Sequence, residues 1–233
     1  FRVGNPELQP EYTDSYELGF LQNFDNSSLY YGVYYRYTRD PIQRVNRPAD
    51  DNNIIVSIEE NLGLQKSLGI EINANQDFTE WYRLSGNFNF YRQETNGFAY
   101  DEDLYAETIT FSTRVSNNIK FKDILTAQLN VNYRAPQKES QGERKAITVV
   151  DLGLSKDLWD KKGTLALSAR DLFNSRKYRG ITETSNYISE SERQWRRGPQ
   201  VVLTLNYRLN QSKREGGREE GERDGYNSGG DEF

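Results

Sequence analysis

Residues 5–11 read Asn5-Pro6-Glu7-Leu8-Gln9-Pro10-Glu11, and shortly after them the chain runs Tyr16-Glu17-Leu18-Gly19-Phe20. Pro6 and Pro10 fix φ and remove two backbone donors, so this part can be neither a helix nor a central strand. From Tyr12 the pattern changes. Tyr16, Leu18, Phe20 and Phe24 fall on one face of an extended chain, and Glu17, Gly19 and Asn23 on the other. A polar loop feeds an amphipathic strand.

The same period of two recurs downstream. After a turn at Asp25-Asn26-Ser27-Ser28, the residues Leu29, Tyr31, Val33, Tyr35 and Tyr37 share a face. So much Tyr suits an aromatic girdle at a membrane interface. A long strand is expected from Ile54 to about Asp77, with Leu62, Leu64, Leu68, Ile70, Ile72 and Ala74 on one side. Ordinary strands run about 5–6 residues, whereas a tilted membrane strand needs about 9–11. Further strands follow from Tyr82, from Ile109 and from Leu125. In the last of these Leu125, Ala127, Leu129, Val131 and Tyr133 oppose Thr126, Gln128, Asn130, Asn132 and Arg134, the cleanest alternation in the chain. Val150, Leu152, Leu154 and Leu158 form another apolar face, Leu165, Leu167 and Ala169 the next, and a last strand is expected from about Gln194 to Leu209.

The count is about nine strands. Their connections alternate, short at 25–28, 78–81, 121–124 and 159–163, long and polar at 40–53, 93–104, 135–146 and 179–193. Bacterial outer-membrane barrels alternate short periplasmic turns with longer outer loops in this way. The expected fold is all-β: a segment of an antiparallel transmembrane β-barrel over residues 1–209, followed by a disordered charged tail at 210–233. That tail mixes four cations with seven carboxylates among glycines. An odd strand number fits part of a barrel, since an open sheet edge is not tolerated in lipid.

Composition narrows the function. The chain has 233 residues with 35% hydrophobic and 13% aromatic residues, and no run approaches the roughly 20 apolar residues of a spanning helix. A barrel escapes that test, because only alternate residues face lipid. There is no Cys and no His, which removes disulfides, thiolate metal sites, the commonest general base and the commonest metal ligand. Met is also absent. The expectation is that Phe1 is a cut end and the chain a C-terminal part of a longer secreted protein. A net charge of -5 argues against a nucleic-acid partner.

Two motifs carry a family resemblance. Asn-Pro-x-Leu-x-Pro-Glu at 5–11, followed by Tyr16-Glu17-Leu18-Gly19, resembles the loop-to-strand signature in the C-terminal half of TonB-dependent outer-membrane receptors. Asp171-Leu172-Phe173-Asn174 with Tyr178 resembles the penultimate strand of the same family. The chain departs from the commonest barrel ending, because Tyr207-Arg208-Leu209 closes the last strand and Phe233 follows a tail. In this it is similar to a subgroup, the outer-membrane protein β-barrel family. The resemblance implies a barrel of roughly 22 strands plugged by an N-terminal domain. It implies energy from an inner-membrane complex, and uptake of an iron chelate, a vitamin or a glycan. Outer-membrane lipid and lipopolysaccharide are the implied surroundings. The plug and the segment that contacts the energising protein are not in this chain.

No catalytic, cofactor-binding or metal-ligating residue is assigned, and no enzyme activity is expected. Ser-His-Asp and Cys-His arrangements are impossible here. Paired carboxylates occur at Glu59-Glu60 and at Asp101-Glu102-Asp103. They read as solvated loop surface, with contact to Ca²⁺ or a ferric ligand as the functional alternative. Gly142 and Gly163 are turn glycines. Arg193, Arg196 and Arg197 around Trp195 read as an interfacial anchor or lipopolysaccharide contact rather than a stacking platform for nucleic acid. Arg83, Arg114, Lys120, Arg134 and Arg208, with Glu71, Asp151 and Asp157, alternate with apolar residues and are expected to line the lumen. The competing readings are a non-transporting barrel (adhesin, assembly or structural) and a soluble β-sandwich binding module with strands of about six residues.

Overall fold

The computed structural model describes residues 1–48, 55–122, 124–160, 162–184, 187–194 and 198–209. The tail at 210–233, the group Trp195, Arg196 and Arg197, and the turn residues Asp123 and Lys161 lie outside them, as do the expectations placed there.

Nine strands form one antiparallel sheet: β1 (Tyr12–Phe24), β2 (Ser27–Arg39), β3 (Leu64–Thr79), β4 (Tyr82–Asn96), β5 (Ala106–Phe121), β6 (Leu125–Arg134), β7 (Ile147–Leu158), β8 (Gly163–Arg170) and β9 (Gln200–Tyr207). Each pairs with its neighbours in sequence, so the sheet is a simple meander. Strands as long as the 16 residues of β3 and β5 rule out the soluble sandwich of short strands.

Register explains why one face is apolar throughout. Val33 sits opposite Leu18 and Ile70, Ile70 opposite Phe90, and Phe90 opposite Phe111. Val131 pairs with Val115 and Val150, and Leu167 with Leu154 and Leu203. This face is not covered by protein: Leu68 is 60% exposed, Ile109 61% and Leu203 67%. An uncovered apolar surface of this extent needs a partner other than water. Aromatic residues gather at the short-turn end. The Phe78 and Trp81 rings lie 5.4 and 6.0 Å from Tyr82, and Trp159 lies 5.5 Å from Tyr207. Tyr16 and Tyr35 stack at 6.5 Å nearer the long-loop end. From Tyr16 to Phe24 is about 27 Å of strand. A tilt of about 40° reduces this to roughly 20 Å, close to the apolar band of outer-membrane barrels.

On the opposite, polar face two tyrosines fill the space over glycines. A side chain at Gly69 would meet the Tyr34 ring at 2.3 Å, and one at Gly19 the Tyr30 hydroxyl at 2.5 Å. Tyr34 is nearly buried there and donates its hydroxyl to Asn89 Oδ1 at 3.0 Å. Glycine on one strand thus makes room for an aromatic ring from the next, which pins the register.

Three expectations need correction. The strand expected from Ile54 to Asp77 is two: Ile55–Asn61 belongs to an outer hairpin, and β3 starts at Leu64. Leu62, placed on the β3 apolar face, turns inward and is 1% exposed, and Gly63 gives its carbonyl to Asp40 N. The last strand begins at Gln200, not Gln194. Ile188–Gln194 pairs with Lys177–Glu183, and Gly198 (φ 93°) breaks the chain between the two. The long connections are not plain loops. They carry hairpins Ile42–Pro48 with Ile55–Asn61, Phe98–Ala99 with Glu102–Asp103, Gln137–Glu139 with Gly142–Arg144, and Lys177–Glu183 with Ile188–Gln194.

In a bilayer, Ile70→Arg puts a charge near the middle of the apolar face. It is expected to cost about 2–4 kcal/mol of folding stability, whereas Asn73→Ser on the polar face costs little. Urea titration of the barrel refolded into vesicles measures both.

Candidate functional site

The opening motif is a clamp on the first outer hairpin. Asn5 Nδ2 donates to Glu59 O and to Glu60 Oε2, both at 3.0 Å. Gln9 exchanges two bonds with the Asn61 side chain, at 2.8 and 2.9 Å, and Asn61 also donates to Asp40 O at 2.8 Å. Glu11 Oε2 accepts from Ile42 N at 3.0 Å. Pro6 and Glu7 form a turn in which Glu7 N donates to Asn5 Oδ1 at 2.9 Å, and residues Arg2–Val3 run parallel to Ser57–Ile58.

The outer hairpins are tied to one another by an apolar cluster and by polar side chains. Val45, Leu62 and Leu104, with Ala99 against them, form a small apolar core drawn from two hairpins. Around it Arg47 lies 4.5 Å over the Tyr100 ring, and the Tyr100 hydroxyl donates to Glu60, which lifts the phenol above its ordinary range. The second tie is Gln141. Its Oε1 accepts from Asn46 N at 2.7 Å and its Nε2 donates to Asn46 O at 2.9 Å and to Glu102 Oε2 at 3.4 Å. Its carbonyl accepts from Glu183 N at 3.2 Å. One side chain and its own carbonyl reach all the other three hairpins. Beside it Gly142 has φ 124°, and a Cβ there would lie 2.0 Å from Ile181 O, so only Gly lets the third and fourth hairpins pair.

The segment Asp171-Leu172-Phe173-Asn174 is a corner. Asp171 (φ 53°) and Asn174 (φ 52°) both adopt the left-handed region, which Asp and Asn tolerate best among residues with a side chain. Asp171 Oδ1 accepts from Ser175 N at 2.7 Å and Arg176 N at 3.1 Å, and Asp171 N donates to Asp151 Oδ1 at 2.8 Å. Asn174 Oδ1 accepts from Gln194 Nε2 and from Gly198 N at 2.9 Å. The motif turns β8 out into the fourth hairpin and staples the return into β9.

Below the hairpins, the polar face is hollowed. A cleft of 780 Å³ lies under them, lined by Gln43, Asn46, Gln93, Thr108, Lys138 and Arg193 among others. A second of 710 Å³ lies deeper, over Asn87, Arg114, Asn132, Arg134 and Asp151. Both are in the size range of small-molecule sites. Amides and hydroxyls dominate the walls, so the surface favours a hydrogen-bonding ligand or water over an apolar one.

The residues singled out in the sequence fall as follows. Glu59 is ion-paired with Arg44 at 2.6 Å and Glu60 holds Asn5 and Tyr100, so both are structural. Asp101 (φ 61°) is a turn residue and Asp103 accepts from Tyr105 N. Among the described residues no three carboxylates gather as a metal site. Gly142 was expected in a turn and stands just after one, as the first residue of the strand Gly142–Arg144. Gly163 begins β8, where a Cβ would meet the Trp159 ring at 2.4 Å. Arg83, Arg114, Lys120 and Arg134 share the polar face with Glu71, Asp151 and Asp157, as the register of β3 to β7 requires. Arg208 lies just past β9, with its N–H on Lys162 O at 2.8 Å. Arg193 lines the upper cleft. Gln141 and Tyr34 were not found from sequence, since nothing local distinguishes them.

A family model described as outer membrane protein beta-barrel family matches residues 1–207. The chain belongs to this outer-membrane β-barrel family. It is an outer-membrane protein. A search of curated proteins finds no match. Among solved structures, the copper transporter OprC is similar at a TM-score of 0.58 and 13% identity, over 87% of this chain and 32% of that one. The ferric yersiniabactin uptake receptor FyuA from Yersinia pestis has a TM-score of 0.59 and 17% identity, over 84% and 29%. The FrpB iron transporter from Neisseria meningitidis (F3-3 variant) has 0.55 and 16%, over 88% and 32%. The chain spans about a third of the length of these structures. At these identities they establish the fold.

Two outcomes are expected of the outer loops. Gln141→Ala releases the first and second hairpins from the third, and faster hydrogen exchange in 42–48 and 98–103, with the nine-strand sheet unchanged, is the readout. Glu192 is held below the ordinary carboxylate range by a hydrogen bond from Arg179, with Lys177 adding charge. A depressed folded-state value means its contribution is present above the usual carboxylate pKa of about 4 and fades as pH falls through the lower folded value. Exchange in 188–194, corrected for intrinsic rate, should therefore rise on acidification below pH ~4, and Glu192→Gln should remove that dependence.

Proposed function

We propose that this chain is the C-terminal part of the barrel of a TonB-dependent receptor-like transporter that takes up a nutrient across the outer membrane: an iron chelate, a vitamin or a glycan. The observation that carries this reading is the polar cleft beneath four interlocked outer hairpins. It is a site open to ligands from outside, continuous with a hollowed lumen wall. Similarity of fold to OprC, FyuA and FrpB supports it.

In this reading the rest of the barrel supplies neighbours to β1 and β9, each of which has one partner among the described residues. An unpaired strand edge in lipid costs several kcal/mol per unsatisfied group, so those neighbours are required. An N-terminal plug fills the lumen, and an inner-membrane complex supplies the energy. The work of this part is then passive: lipid-facing wall, lumen wall and outer vestibule, with no bond-making chemistry.

The test is accumulation of labelled iron chelates, vitamins and oligosaccharides by cells with and without the intact gene. The expected result is loss of one class of solute on deletion, and the same loss in intact cells when the proton-motive force is collapsed. A deletion with unchanged uptake, or a purified protein that behaves as an open ion-conducting pore in planar bilayers, would contradict it.

A further inference from the structure

The lumen wall is charged asymmetrically. On β4, β5 and β6 the lumen-facing positions hold Arg83, Arg114, Lys120 and Arg134 and no Asp or Glu. Arg83 is neutralised by Asp77, and Lys120 acts on the same carboxylate. Among the described residues Arg114 and Arg134 have no carboxylate partner. Arg114 Nε donates to Asn132 Oδ1 at 2.6 Å.

These two arginines sit on a continuous hollow. A third cavity of 440 Å³ joins the upper cleft to the deeper one. It shares Gln137 and Arg144 with the first, and Ser112, Arg134, Ile147 and Tyr178 with the second. An arginine therefore stands at each junction. Nine Lys or Arg side chains line the three cavities together, against two carboxylates, Glu139 and Asp151; two of the nine, Arg44 and Lys145, pair with Glu59 and Glu143 outside the lining. Both carboxylates are engaged, Glu139 with Arg144 and Asp151 with Arg176 at 3.8 Å. This excess lies in a chain whose own net charge is -5, so it is a local arrangement and not a reflection of composition.

We propose that this hollow binds and passes a ligand carrying several carboxylate, phosphate or sulfate groups, handed from Lys138 and Arg193 at the mouth past Arg144 to Arg134 and Arg114. This deepens the uptake reading and rests on it. Guanidinium groups on adjacent strands give forked donors at successive depths, while the surrounding Asn, Gln, Ser and Thr side chains take the ligand's hydroxyls and amides. The β4 to β6 part of the wall, with no carboxylate at its lumen-facing positions, also focuses a positive potential into a water-filled cleft with low-dielectric sides, which raises the local concentration of anions and repels cations. Partial screening by water keeps each contact weak enough to release.

The test uses the intact protein in detergent and a fluorescent pyrene trisulfonate as probe, read by polarisation at low and at physiological salt. The expected result is binding that weakens as salt rises. Arg134→Gln should weaken it about tenfold, the loss of roughly one charge-assisted hydrogen bond. Lys138→Gln with Arg193→Gln should slow association. Arg92→Gln, on the lipid-facing side of β4, should leave binding unchanged and controls for the overall charge. Equal affinity in wild type and Arg134→Gln would overturn the proposal. So would binding that appears only after an upstream plug is removed, because the strip would then serve to dock an acidic face of the plug. Failure of uptake in cells with trisulfonate binding intact would remove the transport reading and leave the anion site. Uptake of an uncharged solute, unaltered by Arg134→Gln, would do the reverse.

Discussion

In hydrocarbon a backbone amide has no water to fall back on, so every N–H and C=O in the bilayer must be paired with protein. The rest of this structure follows from that constraint. A chain built from short turns between polar hairpins satisfies it by one continuous antiparallel ladder, each strand bonded to its sequence neighbours from β1 to β9. The ladder in turn imposes the period of two. One side of every strand must then be apolar and the other is free to be polar. Rows such as Leu18, Val33, Ile70, Phe90 and Phe111 are the lipid side of that arrangement. The asparagines, glutamines and arginines opposite them are the lumen side.

In the proposed barrel one face meets lipid and the other the lumen, so the sheet has no interior of its own. The buried apolar cluster lies instead in the outer loops, at Val45, Leu62 and Leu104. Three side chains bury too little area to hold four hairpins at about 25 cal/mol per Å². The remainder comes from side-chain to backbone hydrogen bonds, chiefly those of Asn5, Asn61 and Gln141. A vestibule roof of this kind is firm enough to shape a cleft and has polar contacts that a ligand's own groups can replace.

The sheet was legible from sequence because its cause is local. Alternation between Leu125 and Arg134 needs only neighbouring residues to be seen, and the whole of β6 follows. Legibility failed where parity survived a break. Leu62 and Leu64 have the same parity, so one strand was read across Gly63, although Ile54-Ile55-Val56 upstream already fails to alternate. Gly198-Pro199 marked the true start of β9 in the same way. The loop hairpins were missed because they carry few apolar residues and are fixed by distant partners. Asn46 and Gln141 lie 95 residues apart. Of the cleft, the cations Arg114 and Arg134 were visible as lumen residues. The lack of Asp and Glu at the lumen-facing positions around them is a property of three adjacent strands and appears only once register is known.

The central claim is a sheet with one face in lipid and the other in an aqueous lumen. There is no native Cys in the chain, and single cysteines placed in turn at positions 126–133 and spin-labelled, set against the unsubstituted barrel, report it. The measurement is collision of each label with oxygen, which concentrates in lipid, and with a water-soluble nickel chelate, in the intact barrel reconstituted in vesicles. The account predicts a strict alternation, with labels at 127, 129 and 131 favouring oxygen and those at 128, 130 and 132 favouring nickel. Equal accessibility to both reagents along the strand, or oxygen preference at the Asn and Gln positions, would contradict it.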